Sequence, residues 1–235
     1  MSDQMTADPA GTTASVIRSV APVRRRRDLD WAEFSRHWRE EHAAIARGLP
    51  GMTGYTQGHA IPGEQPADRP PAWEYDGVPL ASFPDLAAID TLRAHPDYRG
   101  RAVPDEALFT ERAGMAAVLL AHCFGEAPPP VSGGRTLMVF ARTDGTGEQA
   151  GRALAGALDA VPGADSALGH RWSTALDADP GLSPRSAAEW PYDGLLEVWL
   201  PSAAPATRAA QAVAADPALL PFEVFCLVVR ENRVL

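Results

Sequence analysis

Hydrophobic and polar positions along the chain change period in a fixed order, and that order occurs twice. Ser15 to Ala21 reads as a strand. Asp30 is a good N-cap, with Glu33 three residues on to complete a capping box. The helix it opens runs to about Arg47, where Gly48 and Pro50 stop it. Met52 to Ile61 reads as a strand, Pro62 to Pro71 as a loop, and Tyr75 to Phe83 as a strand. Pro79 interrupts that strand, which predicts a sheet edge or a bulge. Pro84 to His95 reads as a helix. Arg99 to Arg112 is a connection with a short helix around Asp105 to Phe109, and Met115 to Phe124 is an apolar strand. After a proline- and glycine-rich stretch the order returns: strand 135–142, helix 147–160, strand 165–174, strand 192–200, helix 203–215 and strand 222–230.

Each half is therefore β-α-β-β-α-β, the ferredoxin-like split unit, and the fold class is α+β. Such a unit has helices on one face of its sheet and a bare second face. Two units can bury their bare faces together, and a tandem copy supplies the partner within one chain. The expected organisation is a polar tail over 1–13, a first half over 14–125, a linker over 126–134 and a second half over 135–235. Local echoes support the duplication. Leu49-Pro50-Gly51 leading to Gly58-His59 matches Val161-Pro162-Gly163 leading to Gly169-His170. Tyr75-Asp76-Gly77 matches Tyr192-Asp193-Gly194.

Composition narrows the function classes. With 30 acidic against 21 basic residues the net charge is −9, which argues against a nucleic-acid partner. No apolar run reaches the roughly 20 residues needed to span a bilayer, and no signal-peptide core opens the chain. The expectation is a cytoplasmic protein with no membrane partner. Cys123 and Cys226 sit among apolar residues and read as reduced core thiols, with a disulfide or metal pair as the alternative. Arg24 to Arg27 read first as a solvated loop, and alternatively as a clamp for an acidic substrate group.

The first helix is the richest segment for chemistry. At about 100° per residue, Trp31, Phe34, Trp38, Ile45 and Leu49 share one stripe. His42 falls inside it and His37 well off it. His42 should point inward beside an indole ring, either as a hydrogen-bonded core histidine or as a general acid or base. On the next strand Tyr55, Gln57 and His59 alternate and share one face, as the floor of a polar pocket or as a network between sheets. Asp76 reads first as a turn residue opening a strand, and secondly as a substrate-site residue. No phosphate loop, serine elbow, H-E-x-x-H or zinc spacing is present, and no metal site is expected.

Asp30 to Ala43, with Phe34, Trp38 and His42 at their spacing, resembles the helix signature of the EthD-like family. Leu49 to His59 resembles that family's following strand, and Asp105-Glu106-Ala107-Leu108-Phe109 is similar to its late acidic-aromatic motif. The strand motif Tyr-Asp-Gly with a later Glu-x-Trp is better kept in the second half, at Glu197 and Trp199; Leu80 and Ser82 stand there in the first. The resemblance implies a dimeric α+β barrel, here from two fused halves, with a cleft between helices and sheet. It further implies a cofactor-independent lyase or isomerase acting on a small polyketide-like or aromatic substrate. In that reading His42, Tyr55 and His59 handle protons or polarise an oxygen, while Trp38, Gln57, Phe34 and Asp76 contact substrate. A cofactor-free monooxygenase and a non-catalytic small-molecule binding or stress protein are the alternatives. Haem ligation by His42 or His59 is a further outsider, and a homodimer is open. The echoes place His42 opposite Leu154, Trp38 opposite Ala150 and Tyr55 opposite Ser166. One active cleft is therefore expected, in the first half.

Overall fold

The computed structural model describes residues 16–67, 74–111, 117–142, 147–176, 192, 194–215 and 223–235. The tail expected over 1–13 and Asp193 of the second Tyr-Asp-Gly echo lie outside them.

In the first half, β1 (Ile17–Val20), β2 (Gly54–Ala60), β3 (Gly77–Phe83) and β4 (Val118–Gly125) form the sheet. The helices are α1 (Trp31–His37), α2 (Ala43–Ala46), α3 (Leu86–Ala94) and α4 (Val103–Phe109). The second half has strands β5 (Arg135–Arg142), β6 (Gly169–Ala175), β7 (Gly194–Leu200) and β8 (Glu223–Arg233), with helices α5 (Gly147–Asp159) and α6 (Ala203–Ala215). The strands close into a barrel ordered β1-β3-β2-β8-β5-β7-β6-β4, antiparallel throughout. It contains the ferredoxin-like order β4-β1-β3-β2 followed by its copy β8-β5-β7-β6. The halves join edge to edge through β2–β8 and β6–β4, so no sheet edge is left open. The sheet faces expected to bury each other do so as the barrel interior, where Val78, Leu120, Met138, Phe140, Leu195 and Leu227 pack together.

The echoes have structural causes. Gly51 and Gly163 both adopt positive φ, at 84° and 98°. A Cβ on either would approach the backbone of that half's second helix, at 2.6 Å from the Ala88 oxygen and 2.5 Å from the Pro205 oxygen. The Pro-Gly echo thus turns the chain where the two helices of each half touch. Gly77 and Gly194, which close the Tyr-Asp-Gly echo, each leave room for an indole, of Trp38 and Trp172 respectively.

Two expectations change. Pro79 lies in a strand flanked on both sides, not at an edge. Its carbonyl accepts from Ala21 N at 3.4 Å, so its nitrogen also faces β1. The β1 ladder ends one pair earlier, at Val20 opposite Leu80. The missing donor therefore falls where pairing stops. The last strand runs on to Arg233, because β2 offers a free edge that Glu231, Asn232 and Arg233 pair with.

Candidate active site

The first helix starts as the sequence predicts. The Asp30 side chain accepts from Glu33 N at 2.8 Å, and the Glu33 carboxylate accepts from Asp30 N at 2.9 Å. It is not one regular helix to Arg47, however. Trp38 to His42 form a π turn between α1 and α2. Here the Ala43 N–H reaches back five residues to the Trp38 carbonyl, which also accepts from Gln57 Nε2 at 2.7 Å. The extra residue in the turn keeps Phe34, Trp38, His42 and Ala46 buried at four-residue steps over the sheet. Such turns recur at functional sites.

Between these helices and the outer face of β1, β2 and β3 lies a cavity of about 520 Å³, inside the usual range for small-molecule sites. Its walls are largely apolar, with Phe83, Ile89, Leu92 and Phe109 among them. The polar groups on it include His42, Tyr55, Arg93, Tyr98 and Glu106. His42 is 6% exposed, and its Nδ1 lies 2.8 Å from Asp105 Oδ2. The other Asp105 oxygen lies 3.0 Å from His37 Nε2. With Asp105 as the acceptor, Nδ1 carries the proton and Nε2 keeps the lone pair. Burial pushes the His42 pKa below its usual 6.5, and the Asp105 carboxylate partly opposes that shift. The imidazole is therefore neutral near pH 7 and able to take a proton.

Tyr55 is buried, and its hydroxyl oxygen accepts from the Trp38 indole N–H at 3.1 Å. Burial raises its pKa well above the usual phenol value, so it can donate a hydrogen bond but does not ionise. The His42 and Tyr55 rings lie 6.3 Å apart across the cavity wall.

The remaining sequence candidates are elsewhere. His59 lies behind Trp38, with ring centroids 4.6 Å apart. Its Nδ1 meets Ser35 Oγ at 3.0 Å and its Nε2 meets Gln57 Oε1 at 3.4 Å. Burial, aided by Arg39 and Arg230, lowers its pKa to about 3. Gln57 also accepts from Asn232 Nδ2 at 2.8 Å. The Tyr-Gln-His face is thus split: Tyr55 reaches the cavity, while Gln57 and His59 tie the sheet to the helix. Phe34 packs on Trp38 and Phe109 from the far side. Asp76 accepts from Arg25 N at 2.9 Å and pairs with Arg25 Nε at 3.2 Å, which ties the start of β3 to the segment before α1. None of these four residues lines the cavity. His170, the twin of His59, is exposed and takes no part in the network.

The rest of the basic run also binds locally. Arg24 lies over the Tyr75 ring, Arg26 pairs with Asp28, and Arg27 with Glu111. Cys123 and Cys226 are free thiols. Among the described residues no group of three or more His, Cys, Asp or Glu could hold a metal ion, and no helix is long and apolar enough to cross a membrane. Asp105 is the partner of His42 that residue-by-residue reading passed over. It stands in the acidic-aromatic motif, but only the fold brings that motif against the first helix.

Comparison with known proteins agrees with this fold. Residues 26–113 match the family model described as EthD domain. No curated protein matches the sequence. Among solved structures, an anthrone oxidase-like protein superposes with a TM-score of 0.57 at 11% identity, covering 95% of this chain and 94% of its own. A candidate monooxygenase from Lactobacillus acidophilus NCFM gives 0.51 at 9% identity, covering 94% and 95%. A candidate chlorite dismutase gives 0.52 at 11% identity, covering 94% and 96%. At these identities the likeness is one of fold. Residues 26–113 of the first half thus match the EthD domain, and the frame of the whole chain is a closed ferredoxin-like α+β barrel built from two fused halves.

Proposed function

We propose that the first-half cavity is the active site of a lyase or isomerase, in which His42 moves a proton on a small oxygenated aromatic or polyketide-like substrate. The observation that carries this reading is the Asp105–His42 pair on the wall of a mostly apolar cavity. Asp105 fixes the tautomer and steadies the imidazolium once Nε2 has taken the proton. The Tyr55 hydroxyl, held by the Trp38 indole, donates to the substrate oxygen on which negative charge develops. Trp38 and Phe109 supply flat apolar walls for a ring system. His59, Gln57, Phe34 and Asp76 have no direct role in this scheme.

Anthrone is a suitable probe, because its ring methylene loses a proton when the ketone enolises. Without oxygen, wild-type protein in D2O should speed deuterium exchange at that carbon, followed by NMR. His42→Ala, once shown to be folded, should lose that acceleration. Exchange within a few-fold of wild type would remove His42 from the role. The monooxygenase reading is supported by the same cavity and by the names of two fold neighbours. It predicts enzyme-dependent oxygen uptake with anthrone in air. A binding protein would take up anthrone with neither exchange nor oxygen uptake.

A further inference from the structure

The barrel interior is apolar at one end and ionic at the other, and the ionic end is unbalanced. Glu197, which with Trp199 makes up the strand motif better kept in the second half, points inward and is 1% exposed. It answers two guanidiniums. Arg171 contacts it through Nε and Nη2, each at 2.8 Å, and Arg18 through Nη2 at 2.7 Å. Arg18 Nη2 also donates to Ser173 Oγ at 2.8 Å. Burial alone would raise the Glu197 pKa, but the two arginines outweigh it and bring it to about 2. Beside them Glu231 accepts from Thr136 Oγ1 at 2.6 Å and Trp199 Nε1 at 2.8 Å, with Arg233 Nε at 3.5 Å. Three arginines thus face two carboxylates. Arg18 is 5% exposed, and its Nη1 is buried with no hydrogen-bond partner among the described residues. A buried charged donor without an acceptor is costly.

These groups line a cavity of about 240 Å³, separate from the first-half cleft, whose wall includes Arg18, Ser82, Arg171, Glu197, Trp199 and Arg233. At the ~30 Å³ that one water occupies in the liquid, it has room for about eight water-sized groups. We propose that this end of the barrel is a binding site for a small monocarboxylate. The acid group would supply the missing negative charge beside Arg18 and Arg233, and the organic part would lie toward Trp199 and Leu80. A carboxylate suits the site because its two oxygens can accept together from a guanidinium and a neighbouring hydroxyl on the wall, such as those of Arg233 and Ser82. The location differs from the His42 cavity: β1 and β3 present Arg18 and Ser82 to the barrel interior, and Ser19 and Ala81 to the cleft.

The test uses sodium benzoate, with benzyl alcohol as the neutral analogue, in calorimetric titrations of the full chain at matched ionic strength. Wild-type protein should bind one benzoate saturably and not benzyl alcohol. Arg18→Gln should weaken binding by roughly ten-fold or more, the expected effect of losing a charge-assisted contact. Because Arg18→Gln can disturb the buried network, Ser82→Leu serves as a second variant; it fills the cavity without changing charge and should also abolish binding. Tyr55→Phe, in the other cavity, should leave benzoate binding intact. Equal binding of benzoate and benzyl alcohol, binding retained in Ser82→Leu, or binding lost in Tyr55→Phe but kept in Arg18→Gln would each overturn the proposal. So would the absence of saturable binding to wild type.

Discussion

The two halves use one frame to opposite ends. In both, an indole ring fits over the glycine that opens the third strand of the unit, Gly77 in one and Gly194 in the other. In the first half the ring is that of Trp38 and comes down from the helix; in the second it is that of Trp172 and rises from β6. Trp172 is fully buried and also occupies the space that a side chain on Gly151 of α5 would need. Leu154, opposite His42, is fully buried in the same cluster. Where the first half leaves a cavity of about 520 Å³ edged by His42 and Tyr55, the second packs a leucine and an indole against its sheet. Keeping the turn glycines preserved the frame, and a few side chains between helix and sheet decide whether a half is cleft or core.

The largest expected effect tests the chemical side of that contrast. His42→Ala should slow anthrone exchange by the 10²–10⁴-fold typical of positioned proton transfer. Leu154→Ala should leave the exchange rate near wild type, yet cost about 2–5 kcal/mol in denaturant unfolding as a fully packed leucine is lost. A rate loss in Leu154→Ala as large as in His42→Ala would break the comparison.

Next comes the glycine slot. Gly194→Ala places a methyl against the Trp172 ring, which has no room to retreat, and should destabilise by about 1–3 kcal/mol. Trp172→Leu in the same chain should restore part of that loss in a double-mutant cycle. Strict additivity would mean that the two residues are not coupled.

A subtler test separates Asp105 from His42. Because burial depresses the His42 pKa and Asp105 raises it, the acid limb of kcat/KM should lie below pH 6.5 in the wild type. Asp105→Asn removes the raising influence and should move that limb further down, with a smaller rate loss than His42→Ala. A limb that moves up in a pH–rate profile would contradict the assignment.

The effect that is smallest at neutral pH, and grows only on acidification, concerns His59. Its folded pKa of about 3 lies below the usual 6.5. The stability linked to it is complete above pH 6.5 and is lost as pH falls from 6.5 toward 3, at most about 1.4 kcal/mol per pH unit. His59→Gln should flatten that stretch of a stability–pH curve. An unchanged slope would show that His59 carries no such linkage.

Much of the fold was legible because it rests on local signals. The capping box at Asp30 and Glu33, the period of each strand and the glycine-proline stops are written in neighbouring residues, and α6 and β5 begin and end where their periodicity does. The duplication, the fold class and the inward position of His42 follow from the same signals. That Trp38 and His42 have no twins in the second half was also legible.

Tertiary structure decided the remainder, because it depends on residues far apart in the chain. Asp105 meets His42 across 63 positions. Gln57 and His59 are paired away from the cavity by Ser35, Asn232 and the Trp38 carbonyl of a π turn that no periodicity announces. Pro79 is tolerated in mid-sheet only because β1 stops beside it. The charge imbalance around Arg18 arises only when the barrel closes and brings β1 within reach of β6 and β7. Periodicity assigns each side chain to a face; what that face meets is fixed by long-range packing, and the chemistry of this protein lies in those meetings.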